Sequence, residues 1–428
     1  MNPQPALATL FRKARAIDLF SLPVTTTAFY AVMFYAAPFL AFLGVYLSPM
    51  IAAYGIAPKT LWYVTLGLAG LLLGLLLPMG KAAAKRIPNI LTGSWNPERA
   101  ELTFLAIFLG GITAKVLRIA AGAYFHLWPS RIFTESPWYS AVGYLDWFGP
   151  IAMAIAFLMY YELKKSALPF KKWQWYAWGT FLLELAYTLP TCSKFKVIIP
   201  FALYLLIRHY ALGLRFRTVV GAILFVAVLF PASNICRDTK LVERLVLTKP
   251  AGDESSSLAV SYLAVETFFG RLNQSIVLQK IIEADEPKLH GKSLLDFLVS
   301  LGPPRFIWKN KPLIGGDGNE FGRKIGILNS DDFVTSVGPT HVGDWYMNFG
   351  LPGIFAGMFL MGTLWRFLYE YLIPRTARSP SGVLLYGIAW VQIMKGMENA
   401  VAPVYAGMFK IMVLLVLIHL FMKERRSL

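Results

Sequence analysis

An all-α polytopic membrane protein, with about ten transmembrane helices and one large extracytoplasmic loop, is the fold class this sequence predicts. Three observations predict it. The first is composition: 56% of the 428 residues are hydrophobic and only 15% are charged, against about 25% in a soluble domain. The second is run length. Stretches such as Thr60–Pro78 and Thr218–Asn234 are apolar on all sides and reach the ~20 residues a helix needs to cross a bilayer core. A transmembrane barrel would alternate apolar and polar residues instead. The third is charge placement. The chain carries a formal +17, yet residues 237–348 hold 13 Lys and Arg against 14 Asp and Glu. The rest holds 28 against 10, mostly in short connections between apolar runs. That is the positive-inside pattern of a membrane protein, not a nucleic-acid-binding face.

Taken in order, the spans fall at 26–48, 60–79, 102–124, 139–162, 173–190, 197–214, 218–236, 349–372, 382–400 and 402–422. Arg12, Lys13 and Arg15 precede the first run and no small-residue cleavage site follows, so the start reads as a retained cytoplasmic end. With that end inside, Lys81/Lys85/Arg86, Lys164/Lys165/Lys171/Lys172, Arg215/Arg217, Arg375/Arg378 and Lys423/Arg425/Arg426 all fall on the cytoplasmic side. The chain then divides into seven helices over 1–236, an outer loop over 237–348 and three helices over 349–428. The two cysteines, Cys192 and Cys236, lie near outer helix ends and read as free thiols.

The outer loop is long, and loops over ~15 residues are usually functional or disordered. This one is aromatic and patterned. The segment ending in "NQSIVLQKIIE" mixes apolar residues with Glu266, Arg271, Asn273 and Gln274, as an amphipathic helix does. "GKSLLDFLVSL" reads as a second helix, stopped by Gly302-Pro303-Pro304. Next comes "PPRFIWKNKPLIGG", stiffened by proline and carrying Arg305, Phe306, Trp308, Lys309, Lys311 and Gly316. The bland reading puts these cations near lipid headgroups and Trp308 in an interfacial belt. The functional reading is that a fixed guanidinium at Arg305 grips phosphate oxygens in bidentate fashion. His341 follows, with Asp344 in reach to orient its ring; an imidazole titrating near neutrality suits a general base, with Glu266 and Asp344 as reserve bases. "GLPG" at 350–353 then lets the next helix start close to its neighbours.

Ionisable residues inside apolar spans are expensive and often functional. Lys115 and Arg118 share a face of the third span, Asp146 and Glu184 lie in the fourth and fifth, Lys395 and Glu398 near the outer end of the ninth, and Lys410 in the tenth. Interhelical ion pairing is one reading. Contact of Lys115 and Arg118 with an anionic lipid head is the other, joined by Ser193, Lys194 and Lys196 in "LPTCSKFKVIIP" on the same outer side. The chain carries no HExxH, Cys/His cluster or phosphate-binding glycine loop, and Asp331-Asp332 reads as a solvated turn.

The layout of nearly the whole chain resembles the Wzy-type polysaccharide polymerases, the O-antigen and oligosaccharide repeat-unit polymerase group, which are related in layout to O-antigen ligases. "PPRFIWKNKP" looks like that family's Pro-Arg…Lys-Pro element, and Arg305 to Gly316 fits its R-x10-G spacing. "SKFKVIIPFALYLLI" is similar to its Ser-Arg span opening, with Lys194 where arginine is usual. "HVGDWYMNFGLPG" is similar to the ligase pattern of a histidine and Gly-x-x-Gly at the head of a span. The resemblance implies a GT-C-like fold in the bacterial cytoplasmic membrane and an inverting, metal-independent transfer needing no cofactor. The donor and acceptor would be polyprenyl-pyrophosphate-linked oligosaccharides, with a flippase and a chain-length regulator as partners. On this reading His341 is the base and Arg305 the catalytic cation. Arg271, Lys309, Lys311, Lys194, Arg118, Lys115, Trp308 and Gly316 would bind the pyrophosphate or glycan. A ligase would share the donor chemistry and differ in acceptor. A transporter of lipid-linked sugars, a different class, usually shows internal repeats and broken polar helices at the midplane; this chain shows no repeat.

Overall fold

The computed structural model describes residues 18–36, 38–39, 56–120, 138–191, 194–214, 218, 221, 224, 273–303, 307–308, 310–311, 318–331 and 336–424. All regular structure among them is helical, apart from an isolated bridge between Trp95 and Lys423. Helix α1 (Leu22–Ala31) runs on into a π-helical stretch, Val32–Ala36. Proline opens α2 (Pro58–Leu76), where its missing N–H costs nothing, and α3 (Met79–Arg86) follows directly. Asn96 starts α4 (Pro97–Ala120): its Oδ1 accepts the N–H groups of Glu98 and Arg99 at 3.0 Å each. Then come α5 (Trp138–Leu145), α6 (Phe148–Lys165), α7 (Lys171–Thr188) and α8 (Lys194–Leu212). The loop contributes α9 (Ser275–Ala284), α10 (Lys292–Leu301) and α11 (Gly318–Lys324). Helices α12 (Thr340–Leu372), α13 (Pro380–Gly396) and α14 (Val401–Met422) complete the bundle.

Five helical runs are long and apolar enough to cross a membrane: α2, α4, Val142–Lys165, α12 and α14. Helices α7, α8 and α13 stand where the fifth, sixth and ninth spans are predicted, and most of the seventh lies outside the described residues. At the centre is α6, buried at every position from Gly149 to Tyr161 and packed against α4, α7, α8 and α13. A helix apolar on all sides suits that place. Helices α2 and α12 run parallel, the relative direction that the span order requires. Gly67 meets Ile354 and Met358, Gly74 meets Phe359 and Gly362, and Gly80 meets Thr363 and Arg366. Small residues let the two backbones touch, the usual basis of helix association in lipid.

The described basic connections, those of Lys81 and Lys85, Lys171 and Lys172, Arg375 and Lys423, gather at one end of the bundle. There Trp95 Nε1 donates to Ser381 Oγ (2.6 Å), Ser381 bonds His419 Nδ1, and His419 Nε2 meets the Ile90 carbonyl at 2.9 Å. Because a carbonyl only accepts, Nε2 carries the proton and Ser381 donates to Nδ1. At the same end Asp18 accepts from His209 (3.0 Å), Tyr210 (2.9 Å) and Tyr369 (2.9 Å). Burial pushes the Asp18 carboxyl up, but these hydrogen bonds outweigh it and hold it below its ordinary value. Its stabilising contribution is therefore complete above the unfolded carboxylate value of about 4 and disappears as pH falls through the lower folded value. Thermal unfolding should show wild type losing more stability than Asp18→Asn as the pH drops below about 4.

One boundary differs from the sequence expectation. The segment predicted to be the loop leading into the eighth span is itself helical from Thr340, and the helical run breaks at Gly350 (φ 64°, ψ −146°). Only glycine takes that conformation without strain. Past the break the chain folds back, so that Trp345 lies against Gly353 and Gly357. The break frees carbonyls of the preceding turn, and Leu289 and His290 N–H groups bond those of Met347 (2.9 Å) and Asn348 (3.1 Å). Loop helices thus lock onto the bundle end opposite the basic one.

Candidate functional site: a cationic cluster at the loop end

Where α4, α5, α6, α7, α8 and α13 meet at the loop end, the bundle carries ions in an apolar setting. Lys115 Nζ pairs with Glu184 Oε1 at 2.7 Å, and Arg118 pairs with Asp146 at 2.9 Å. Lys115 is 5% exposed and Glu184 4%, so this first pair has left water altogether. Gly149 of α6 makes room for it: a Cβ there would strike the Glu184 carboxylate and lie 2.5 Å from Lys115 Nζ. Lys115 also stands 4.9 Å from the Tyr187 ring centre, within range of a cation–π attraction. The charges of Arg118, Lys196, Lys115 and Lys395 all act on Asp146. Among the described residues neither Lys196 nor Lys395 forms a salt bridge. Lys395 is exposed and Lys196 half-buried. Four cations therefore surround two carboxylates, and the ammonium groups of Lys196 and Lys395, though partly desolvated, form no salt bridge among the described residues.

The loop reaches the same end of the bundle. Helix α10 lies along the first turns of α14, with Leu295 and Leu298 exposed. Its final carbonyls gather cations: Lys311 Nζ donates to Gly302 O (3.0 Å), Pro303 O (3.1 Å) and Ser300 O (3.4 Å). Lys410 of α14 reaches Gly302 O at 3.5 Å and Tyr144 Oη at 3.4 Å, two residues from Asp146. The Trp308 ring covers Gly302. A second feature lies nearby, a hollow of about 410 Å³ between α9, α10, α11 and the heads of α12 and α14, with Lys292, Ser293, Asp296, Glu320, Lys324 and Asp344 in its wall. Burial holds the Asp296 carboxyl above its ordinary value, opposed by Lys292.

The sequence-predicted residues divide into three groups. Arg305, Arg271, Lys309, Gly316, Glu266 and the Lys194 side chain lie outside the described residues. Lys115 and Arg118 are brought together, but each is held by a carboxylate on a neighbouring helix, which is the ion-pair reading. Lys311 caps α10, because the last carbonyls of a helix lack intrahelical donors and attract a cation. Trp308 is 39% exposed.

The structure corrects His341 and Asp344. His341 is 2% exposed, packed between Trp365 and Tyr405, and neither ring nitrogen has a hydrogen-bond partner among the described residues. A base must reach the proton it takes, and this ring is sealed off. Asp344 does not orient it. Asp344 Oδ1 accepts from Ser293 (2.9 Å) and Asn348 (3.2 Å), and Oδ2 accepts the Val401 N–H at 2.8 Å. It thus places a carboxylate on the N-terminus of α14, where the helix dipole favours negative charge, and joins α10, α12 and α14. Asp344→Ala should lower stability by about 3 kcal/mol, since three donors lose a charged acceptor; Asp344→Asn should retain part of that, as read by chemical denaturation.

Sequence reading underweighted Lys196, Lys395 and Lys410. The available signal was their position: each is an ammonium close to the loop end of an apolar helix. No family model matches the chain, and neither a curated protein nor a solved structure matches it.

Proposed function

We propose that the protein is a membrane-embedded glycosyltransferase that extends a polyprenyl-pyrophosphate-linked glycan, acting at the outer face of the bacterial cytoplasmic membrane. The observation that carries this reading is the surplus of positive charge at the loop end, above all the uncommitted Lys196 and Lys395 beside the Arg118–Asp146 pair. A pyrophosphate is the anion such a cluster suits. As the sugar C1–O bond to pyrophosphate breaks, negative charge grows on the leaving group, and fixed cations stabilise it most in the transition state. The new bond forms between C1 and an acceptor hydroxyl, whose proton needs a base. Asp296 takes that role in place of the buried His341. It opens into a hollow large enough for sugar, and burial makes it a stronger base than an ordinary carboxylate. Arg305 supplies a further guanidinium to the same leaving group.

The test is a reconstituted assay with polyprenyl-pyrophosphate-linked repeat units, resolved on a gel that separates one repeat from many. Wild type should give a ladder, and Asp296→Asn and Arg305→Ala should collapse it toward a single repeat. A single unit moved to another acceptor would identify a ligase. Movement of lipid-linked sugar across the bilayer without transfer would overturn the enzyme reading.

A further inference from the structure

At the basic end, remote from the glycan site, a second hollow of about 450 Å³ is walled by Lys81, Ala84, Lys85, Glu370, Pro374 and Arg375. Lys81 and Lys85, one helical turn apart, share a face of α3, and both are exposed. Arg375 belongs to the turn after α12. Among the described residues the one carboxylate in the wall, Glu370, is already paired with Arg366 at 2.5 Å. Three positive charges therefore converge with no anion of their own. Arg375 adds a second observation: its Nη1 is buried without a hydrogen-bond partner among the described residues, although its ring neighbour Tyr371 holds the guanidinium at 6.0 Å. A buried donor of that kind is normally satisfied. The hollow also has a greasy margin, because α3 continues directly from α2 and leaves Leu76 79% and Met79 52% exposed beside it.

We infer that this hollow is a phosphate-binding site, in which Lys81, Lys85 and Arg375 hold the phosphate of an anionic lipid headgroup or a free phosphate. A planar guanidinium flanked by two ammonium groups matches phosphate oxygens, and basic pockets beside membrane helices on the cytoplasmic side are where anionic lipid heads bind. The site is independent of the glycan chemistry, and its ligand stabilises the α2–α3 corner against α12.

The full chain, placed in phosphatidylcholine bilayers, tests this by its thermal unfolding midpoint in two titrations, one with phosphatidylglycerol and one with inorganic phosphate. Wild type should gain stability in at least one arm. Lys81→Gln/Lys85→Gln should weaken the apparent affinity by roughly tenfold or more, at about 1 kcal/mol per basic residue near a charged surface. Response in the lipid arm alone assigns a lipid headgroup, and response to inorganic phosphate assigns a soluble phosphate. Arg375→Gln is a third variant; because the two lysines are exposed, the lysine variant decides even where Arg375→Gln does not fold. No response in either arm, or an equal response in wild type and the lysine variant, overturns the site.

Discussion

Lys115→Ala should lower the unfolding free energy by roughly 3–5 kcal/mol, the cost of stranding one member of a buried ion pair. Glu184 would remain enclosed at the α4–α6–α7 junction with its partner gone, and Gly149 leaves space for that pair only because position 149 has no side chain. Denaturant unfolding in detergent reads the loss. The double replacement Lys115→Met/Glu184→Leu separates two roles. Apolar residues of similar size commonly restore what a broken pair loses, so this variant should unfold near wild type. If it also extends glycan normally, the pair serves the fold. If it folds but fails to extend, the pair's field acts on substrate. Stability left unchanged in Lys115→Ala would contradict the burial of the pair.

The second large effect concerns Lys395 and Lys196. Lys395→Gln should reduce glycan extension by roughly 10²-fold, the scale of losing one fixed charge-stabilising donor, with a smaller loss of stability than Lys115→Ala because Lys395 forms no salt bridge among the described residues. Lys196→Gln should act in the same direction. Lys395→Arg should recover part of the rate, since charge is kept while geometry shifts. Rate measured against substrate concentration distinguishes a transition-state role from simple capture: the first lowers kcat, the second raises KM alone. Equal activity of Lys395→Gln and wild type would remove the observation on which the proposed function rests.

Much of the scaffold was readable in the residues themselves. Apolar runs of bilayer length marked α2, α4, α6, α12 and α14, because an all-apolar helix is a local property. The stop at Gly302-Pro303 marked the end of α10 for the same reason: backbone constraints act within a few residues. Gly350 to Gly353 read as the start of a helix close to its neighbours, and the turns before it, 340–349, read as loop, whereas they are helical and the break falls at Gly350. Their stability comes from packing of Trp345 and from donors at Leu289 and His290 more than fifty residues away.

The sequence by itself determined that this is a helical membrane protein, that its basic residues concentrate in connections between apolar runs, and that ionisable residues stand near helix ends. Tertiary structure decided what each of those residues does. Lys115 and Lys395 are both ammonium groups near the end of an apolar helix, but one is in a salt bridge with Glu184 and the other forms none among the described residues, acting on Asp146 only through its field. His341 and Asp344 are three residues apart in one helix, yet one is sealed between aromatic rings and the other caps α14. The physical reason is range. Helix formation and termination depend on neighbours in the chain, whereas Coulomb pairing and burial depend on which helices stand side by side.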